Sequence, residues 1–204
     1  MLLQNFIKMK KILIINAHQV WEGFAPGKLN GSFVEMATEI LTGKGYEVKT
    51  TKVNDQDYEI ESEIEKHLWA DYIIVQTPMY WMQTPWIFKK YMDEVYTSAM
   101  QGQLCNGDGR TRSDASKQYG SGGTAQDKKY MLSITCNAPK EAFNDVNQTF
   151  FAGKSVDDLF LPLHSNYKFF GMTSLPTFTA FDVLKNPQIE EDFKRFKTHI
   201  ETNF

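Results

Sequence analysis

Hydrophobic positions fall into two alternating kinds of pattern. Uninterrupted apolar runs occur at 11–16 (KILIIN), 72–76 (YIIVQ) and 130–135 (YMLSIT). Such runs lack polar alternation, so they predict strands buried on both faces. Between the first two runs, Leu29, Phe33, Met36, Ala37, Ile40 and Leu41 recur every three or four residues, predicting an amphipathic helix that Gly43 and Gly45 end. A β-branched stretch over 46–53 predicts a second strand, and Ile60, Ile64, His67 and Leu68 a second helix. A third helix is predicted to start near Trp86, carrying Phe88, Tyr91, Met92 and Val95 on one face. A fifth strand is placed within 174–179, and a last helix from about Pro187 to His199, with Ile189, Phe193, Phe196 and Ile200 together.

Strands alternating with helices of this length pair in parallel through right-handed crossovers. The predicted fold class is therefore α/β: a flavodoxin-like, doubly wound, five-stranded parallel sheet with helices on both faces and its switch point between strands one and three. Residues 1–10 read as an N-terminal extension and 11–204 as a single domain, with Met1 and Met9 both open as the natural start. The segment 97–128 breaks the pattern, being long, polar and rich in glycine; a connection of that length is functional or disordered.

Composition narrows the class. At 204 residues, with 42% hydrophobic and 23% charged residues, the chain can build a real core. A net charge of -3 with dispersed lysines and arginines argues against nucleic acid as a partner. No apolar run approaches the roughly 20 residues of a bilayer crossing. The start, MLLQNFIKMKK, lacks the long apolar region of a signal peptide, so a cytoplasmic location is expected. The cysteines, Cys105 and Cys136, lack C-x-x-C spacing and suit free thiols in a reducing compartment.

Chemistry concentrates at predicted strand ends. After the third strand come Tyr80, Trp81 and Trp86 in a loop bounded by Pro78 and Pro85; they suit either a flat ligand or plain packing. GFAPGK at 23–28 resembles a phosphate-binding P-loop but is one residue short between its glycines, and Leu29 replaces the magnesium-ligating hydroxyl. The loop can still meet a phosphate, because a helix N-terminus follows it. Asn30 and Ser32 are donors or simple caps there. His18 lies close enough to reach a ligand phosphate. The remaining histidines, His67, His164 and His199, show no paired spacing, so no metal is expected. GSGG at 120–123 lacks the strand of a nucleophile elbow; it is either a backbone approaching something flat or a flexible loop. TCNAP at 135–139 would lie beside the Tyr80 and Trp81 loop if strands three and four are neighbours.

The runs at 68–96 (LWADYIIVQTPMYWMQTPWIFKKYMDEVY), 108–112 (DGRTR), 117–123 (KQYGSGG), 128–139 (KKYMLSITCNAP) and 175–178 (LPTF) closely resemble the flavin-dependent NADPH quinone reductases called modulator of drug activity B. That family is related to the flavodoxin-like DT-diaphorases. The resemblance implies FAD, NADPH as co-substrate, a homodimer with active sites at the subunit interface, and two-electron quinone reduction that protects against redox cycling. It implies that Gly27, Leu29, Asn30 and Ser32 hold the FAD phosphates. Pro78, Met79, Tyr80 and Trp81, together with Thr135, Cys136, Asn137 and Ala138, would contact the flavin ring. Tyr119, Gly122 and Gly123 would close over flavin or substrate, with the Tyr119 hydroxyl bonding a quinone oxygen as the catalytic contact. Arg110 and Arg112 are candidates for the 2′-phosphate. The chain departs from the family in its first loop, where a Ser-Asn-Gly version is commoner, and at Cys136, where an aromatic is common. The implied mechanism is ping-pong, with backbone N–H groups of Trp81 and Asn137 stabilising the reduced ring. Two rivals stand: an FMN-binding flavodoxin-type electron carrier, which is usually more acidic and lacks a segment like 97–128, and a flavodoxin-like scaffold without cofactor.

Overall fold

The computed structural model describes residues 9–204; the first eight positions of the proposed extension lie outside them. The order of elements is β1 (Lys11–Asn16), α1 (Lys28–Gly43), β2 (Glu47–Lys52), α2 (Ile60–Trp69), β3 (Tyr72–Pro78), α3 (Trp86–Ser98), β4 (Lys129–Thr135), α4 (Val156–Leu159), α5 (Leu161–Phe169), β5 (Thr173–Ser174), β6 (Phe178–Ala180) and α6 (Ile189–Asn203). The strands form one parallel sheet in the order β2-β1-β3-β4-β5, with β6 also pairing β4. This is the flavodoxin-like winding expected.

The uniform apolar runs hide a two-residue period. Leu13, Ile15, Ile73, Val75, Leu132 and Ile134 face a core built with α2, α3 and α5. Their neighbours Ile12, Ile14, Tyr72, Ile74 and Met131 face the other way, against Phe33 and Ala37 of α1 and Phe196 and Ile200 of α6. Alternate side chains point to opposite faces, so a run apolar at every position is what a sheet covered on both sides requires.

The fifth strand is not continuous. β5 pairs with the start of β4 through Lys129 and Tyr130, and β6 with its end through Ser133, Ile134 and Thr135. Pro176 lies between them, has no N–H to give to the ladder, and its carbonyl is used by His199 Nε2 at 2.9 Å. Helices α4 and α5 were not expected from periodicity. The first starts at a capping box in which Ser155 Oγ accepts from the Asp158 N–H and the Asp158 carboxylate accepts from the Ser155 N–H. These helices bring Phe160, Leu163, Tyr167 and Phe170 into the core, and Phe151 is buried just before them.

The segment following α3 has no regular element until β4, yet it is tied down. Leu104, Cys105 and Ala125 are buried, Asn106 N–H donates to Gly122 O at 2.8 Å, and Ala125 N–H donates to Phe170 O at 2.9 Å. A Cβ on Gly123 would lie 2.2 Å from the Phe170 carbonyl carbon, and one on Gly122 2.4 Å from Gly107 O. Both glycines are thus accounted for by close approach to this chain's own backbone.

Burial lowers the pKa of His67, His18 and His199 from the ordinary imidazole value; a neighbouring cation, Lys52 for His18 and Arg195 for His199, adds to the effect. His67 is fully buried, with Nδ1 2.8 Å from Glu63 O and no partner among the described residues for Nε2. The unfolded chain therefore takes up protons first. The neutral rings contribute their full stability above about pH 6.5, and that stability is lost as pH falls toward their folded values, by about 1.4 kcal/mol per unit of depression. Urea midpoints are expected to fall between about pH 7 and 5.5, less steeply in His67→Asn, which can keep the bond to Glu63 O. An unchanged slope in that variant would remove His67 from the account.

Candidate functional site

The carboxyl ends of β1, β3 and β4 open into a crevice of about 1060 Å³. Its walls are the loop after β1 with the first turn of α1, the loop from Pro78 into α3, the turn after β4, the start of α5, and Val183 and Leu184 beyond β6. This is where an open α/β sheet places a ligand, beside the switch between strands one and three.

One end can receive an anion. Gly27, at φ 86, caps α1; the helix has no side-chain cap and no acidic residue in its first turn. Its first N–H groups and the positive end of its dipole are therefore available. His18 packs against Gly27, and its Nε2 lies 3.2 Å from the Tyr80 hydroxyl, which donates to Gln19 O at 3.1 Å. With that hydroxyl hydrogen used, His18 Nε2 carries the proton to Tyr80 and Nδ1 faces Gly27. Behind them Asn30 is buried and fixed: Nδ2 donates to Asn16 Oδ1 at 2.7 Å, and Oδ1 accepts from Gln76 Nε2 at 2.9 Å. That pairing ties the first turn of α1 to β1 and β3.

The other end is apolar and aromatic. Tyr80 and Gln83 exchange backbone hydrogen bonds of 2.8 and 3.0 Å around Trp81 and Met82, both at positive φ. A two-residue turn of this kind normally takes Asn-Gly, so two bulky residues are strained there. The Trp81 side chain is 92% exposed and Trp86 58%, so neither fills the core. Gln83 Nε2 anchors the turn to Leu159 O at 2.6 Å. Across from it, Asn137 Oδ1 accepts from the N–H groups of Leu184 and Lys185, both at 3.1 Å. Cys136 is buried in the wall, and burial raises its thiol pKa to about 12, which keeps it protonated.

The structure brings His18, Gly27, Leu29, Asn30, Pro78, Met79, Tyr80, Trp81, Thr135, Cys136 and Asn137 to one crevice. Ser32 lies further along α1, and Ala138 meets Cys136 through its carbonyl, 3.5 Å from Sγ. Tyr119, Gly122 and Gly123 do not line it. Tyr119 is 71% exposed, beside Phe169 at 5.7 Å and the Arg110 guanidinium at 5.4 Å, and Arg110 is itself paired with Asp108. Trp21, Phe24, Lys89, Leu163, Asn166 and Leu184 line the crevice as well. Trp21 and Phe24 were legible as members of the loop after β1, and Lys89 as the polar member of the α3 pattern; Leu163, Asn166 and Leu184 carry no local signal, since long-range packing brings them there.

The sequence profile of the Flavodoxin-like fold matches residues 10–203. The NADPH:quinone oxidoreductase MdaB of Haemophilus influenzae is 44% identical over 193 residues, covering 95% of this chain and 98% of that protein. A Klebsiella pneumoniae structure assigned provisionally as a quinone reductase superposes with a TM-score of 0.78 at 22% identity, over 95% of this chain and 84% of that one. General stress protein 14 of Treponema denticola, solved in complex with FMN, gives 0.65 at 17% identity over 96% and 99%. The low-identity likenesses speak for the fold; the extent and identity of the first match, with the motifs above, place the chain in the flavodoxin-like family, in its modulator of drug activity B branch.

Proposed function

We propose that the chain is an FAD-dependent NADPH:quinone oxidoreductase, in which NADPH, a proton and a quinone give NADP+ and a hydroquinone. Residues 11–204 would act as one domain, working as a cytoplasmic homodimer. The observation that carries the reading is the crevice itself: an uncapped helix start at one end and exposed aromatics at the other, which together match a ligand with an anionic tail and a flat ring. The residues fit a flavin. Gly27 leaves no room for a side chain beside His18, so the ring packs directly against the backbone at the helix start. Among the described residues, the N–H groups of Trp81 and Asn137 have no protein acceptor.

When bound, the flavin supplies the hydride relay between nicotinamide and quinone. The first turn of α1 holds the anionic tail, His18 backs Gly27 there and links it to Tyr80, and the 78–81 and 135–138 stretches position and dry the ring. Trp81 and Asn137 N–H groups are donors where negative charge develops. The Cys136 thiol, kept protonated, is a poor nucleophile toward an electrophilic quinone. Tyr119 stands outside its own crevice, so its proposed contact with a quinone oxygen requires a second copy to present it. The exposed Trp21, Phe24 and Phe150 are surface suited to such a dimer. One crevice serving donor and acceptor in turn supports ping-pong kinetics, and paired electron delivery supports protection against redox cycling.

Acid release from the purified protein is expected to yield FAD, NADPH is expected to bleach it anaerobically, and double-reciprocal plots at several quinone concentrations are expected to be parallel. Sedimentation should give a dimer at micromolar concentration. Release of FMN without quinone turnover would favour the electron-carrier reading; absence of any flavin would leave the scaffold.

A further inference from the structure

The chain carries a net charge of -3, yet among the described residues no aspartate or glutamate lines the crevice. The described charged residues that line it are Lys28 and Lys89. They stand on opposite sides of the sheet: Lys28 opens α1, which packs with Ile12 and Ile14, and Lys89 lies in the first turns of α3, which packs with Ile73 and Val75. Two cations so placed suit two separate anions. Lys28 belongs to the helix start already assigned to the flavin tail, which leaves Lys89 without an assigned anion.

Lys89 is three residues beyond Trp86, one helical step along the same face. The Trp86 ring is 58% exposed, and the Lys89 side chain 62%, its ammonium resting on the Asp93 carboxylate one turn on. An exposed indole beside an exposed cation is a pairing suited to a purine carrying an extra phosphate. Arg110, by contrast, is paired with Asp108 and does not line the crevice.

We infer that Lys89 is the specificity residue that selects NADPH over NADH, its ammonium taking the 2′-phosphate while Trp86 stacks the adenine. This rests on the function proposed above and adds a residue to it. An exposed ion pair such as Lys89 with Asp93 holds weakly, so a doubly charged phosphate displaces the carboxylate readily.

The holoenzyme and its Lys89→Gln variant are compared in two measurements. In steady-state kinetics, Lys89→Gln is expected to raise KM for NADPH about tenfold, with kcat and the NADH constants unchanged; the loss of one charge-assisted bond has about that size. In calorimetric titration, 2′,5′-ADP is expected to bind the variant about tenfold more weakly, with 5′-AMP unaffected. Asp93→Asn, which frees the ammonium, should shift NADPH the other way by a few-fold. Equal NADPH to NADH ratios in the wild type and Lys89→Gln, or a ratio that moves with Arg110→Gln instead, would overturn the assignment. If the wild type oxidises neither nucleotide, the functional reading fails, and 2′,5′-ADP binding alone then decides Lys89: tenfold weakening in the variant upholds it, and equal affinities overturn it.

Discussion

Replacing Glu63 by alanine is expected to lower the unfolding free energy by about 3 to 4 kcal/mol. Glu63, on α2, is 1% exposed, and its carboxylate accepts from Thr51 Oγ1 on β2 at 2.7 Å, from the Tyr91 hydroxyl on α3 at 2.7 Å and from Lys66 Nζ at 2.5 Å. Thr51 and Tyr91 are buried, so their hydroxyls lose a charged acceptor and cannot turn to water. Lys66 is partly exposed, so its ammonium can turn to water, which keeps the figure below that of a fully buried charge pair. Set against total stabilities of about 5 to 15 kcal/mol, the change is large, and a chain of this size should melt roughly 10 °C lower. Urea unfolding should show a lower midpoint with unchanged slope. Because the cluster clamps α3, whose first turns carry Trp86 and Lys89, the variant should also bind nucleotide less well. A shift under 1 kcal/mol would mean that the three donors find other acceptors.

The contrast with the rest of the chain is instructive. β1, β3 and β4 were legible because strands covered on both faces must be apolar at every position. The Glu63 cluster was not, since a glutamate on an amphipathic helix reads as solvent-facing until β2 and α3 are placed against it. Phe151, Tyr167 and Phe170 lie outside every element that periodicity predicts, but α4 and α5 carry core there; the capping box at Ser155 was the available signal, and Pro162 within the stretch obscured it. The site divides in the same way. Residues at the carboxyl ends of β1, β3 and β4 follow from strand order alone, so the two loops and the TCNAP turn were legible. The position of Tyr119 depends on a return path past Gly123 and Phe170 that has no periodicity to read.

Gly27→Ala is expected to weaken flavin retention at least tenfold while costing about 1 to 2 kcal/mol of stability. Gly27 has φ 86, where an L-residue is strained, and its Cβ would stand 2.8 Å from His18 Nδ1 and 2.9 Å from Cε1. The ring must move, and its movement breaks the 3.2 Å contact between Nε2 and the Tyr80 hydroxyl that joins the anion end of the crevice to the aromatic turn. Backbone strain and collision can be separated. Gly23→Ala has comparable strain at φ 75 but nothing within 4 Å of the new methyl group, so it should lose stability without losing flavin. Adding His18→Ala to Gly27→Ala removes the collision, and the pair should cost less than the sum of the two single changes. Fluorescence titration of apoprotein with FAD reads the affinity and urea unfolding the stability. Indistinguishable affinities in Gly23→Ala and Gly27→Ala would show that backbone strain alone is at issue, and that the contact between His18 and Gly27 does not shape the anion end of the crevice.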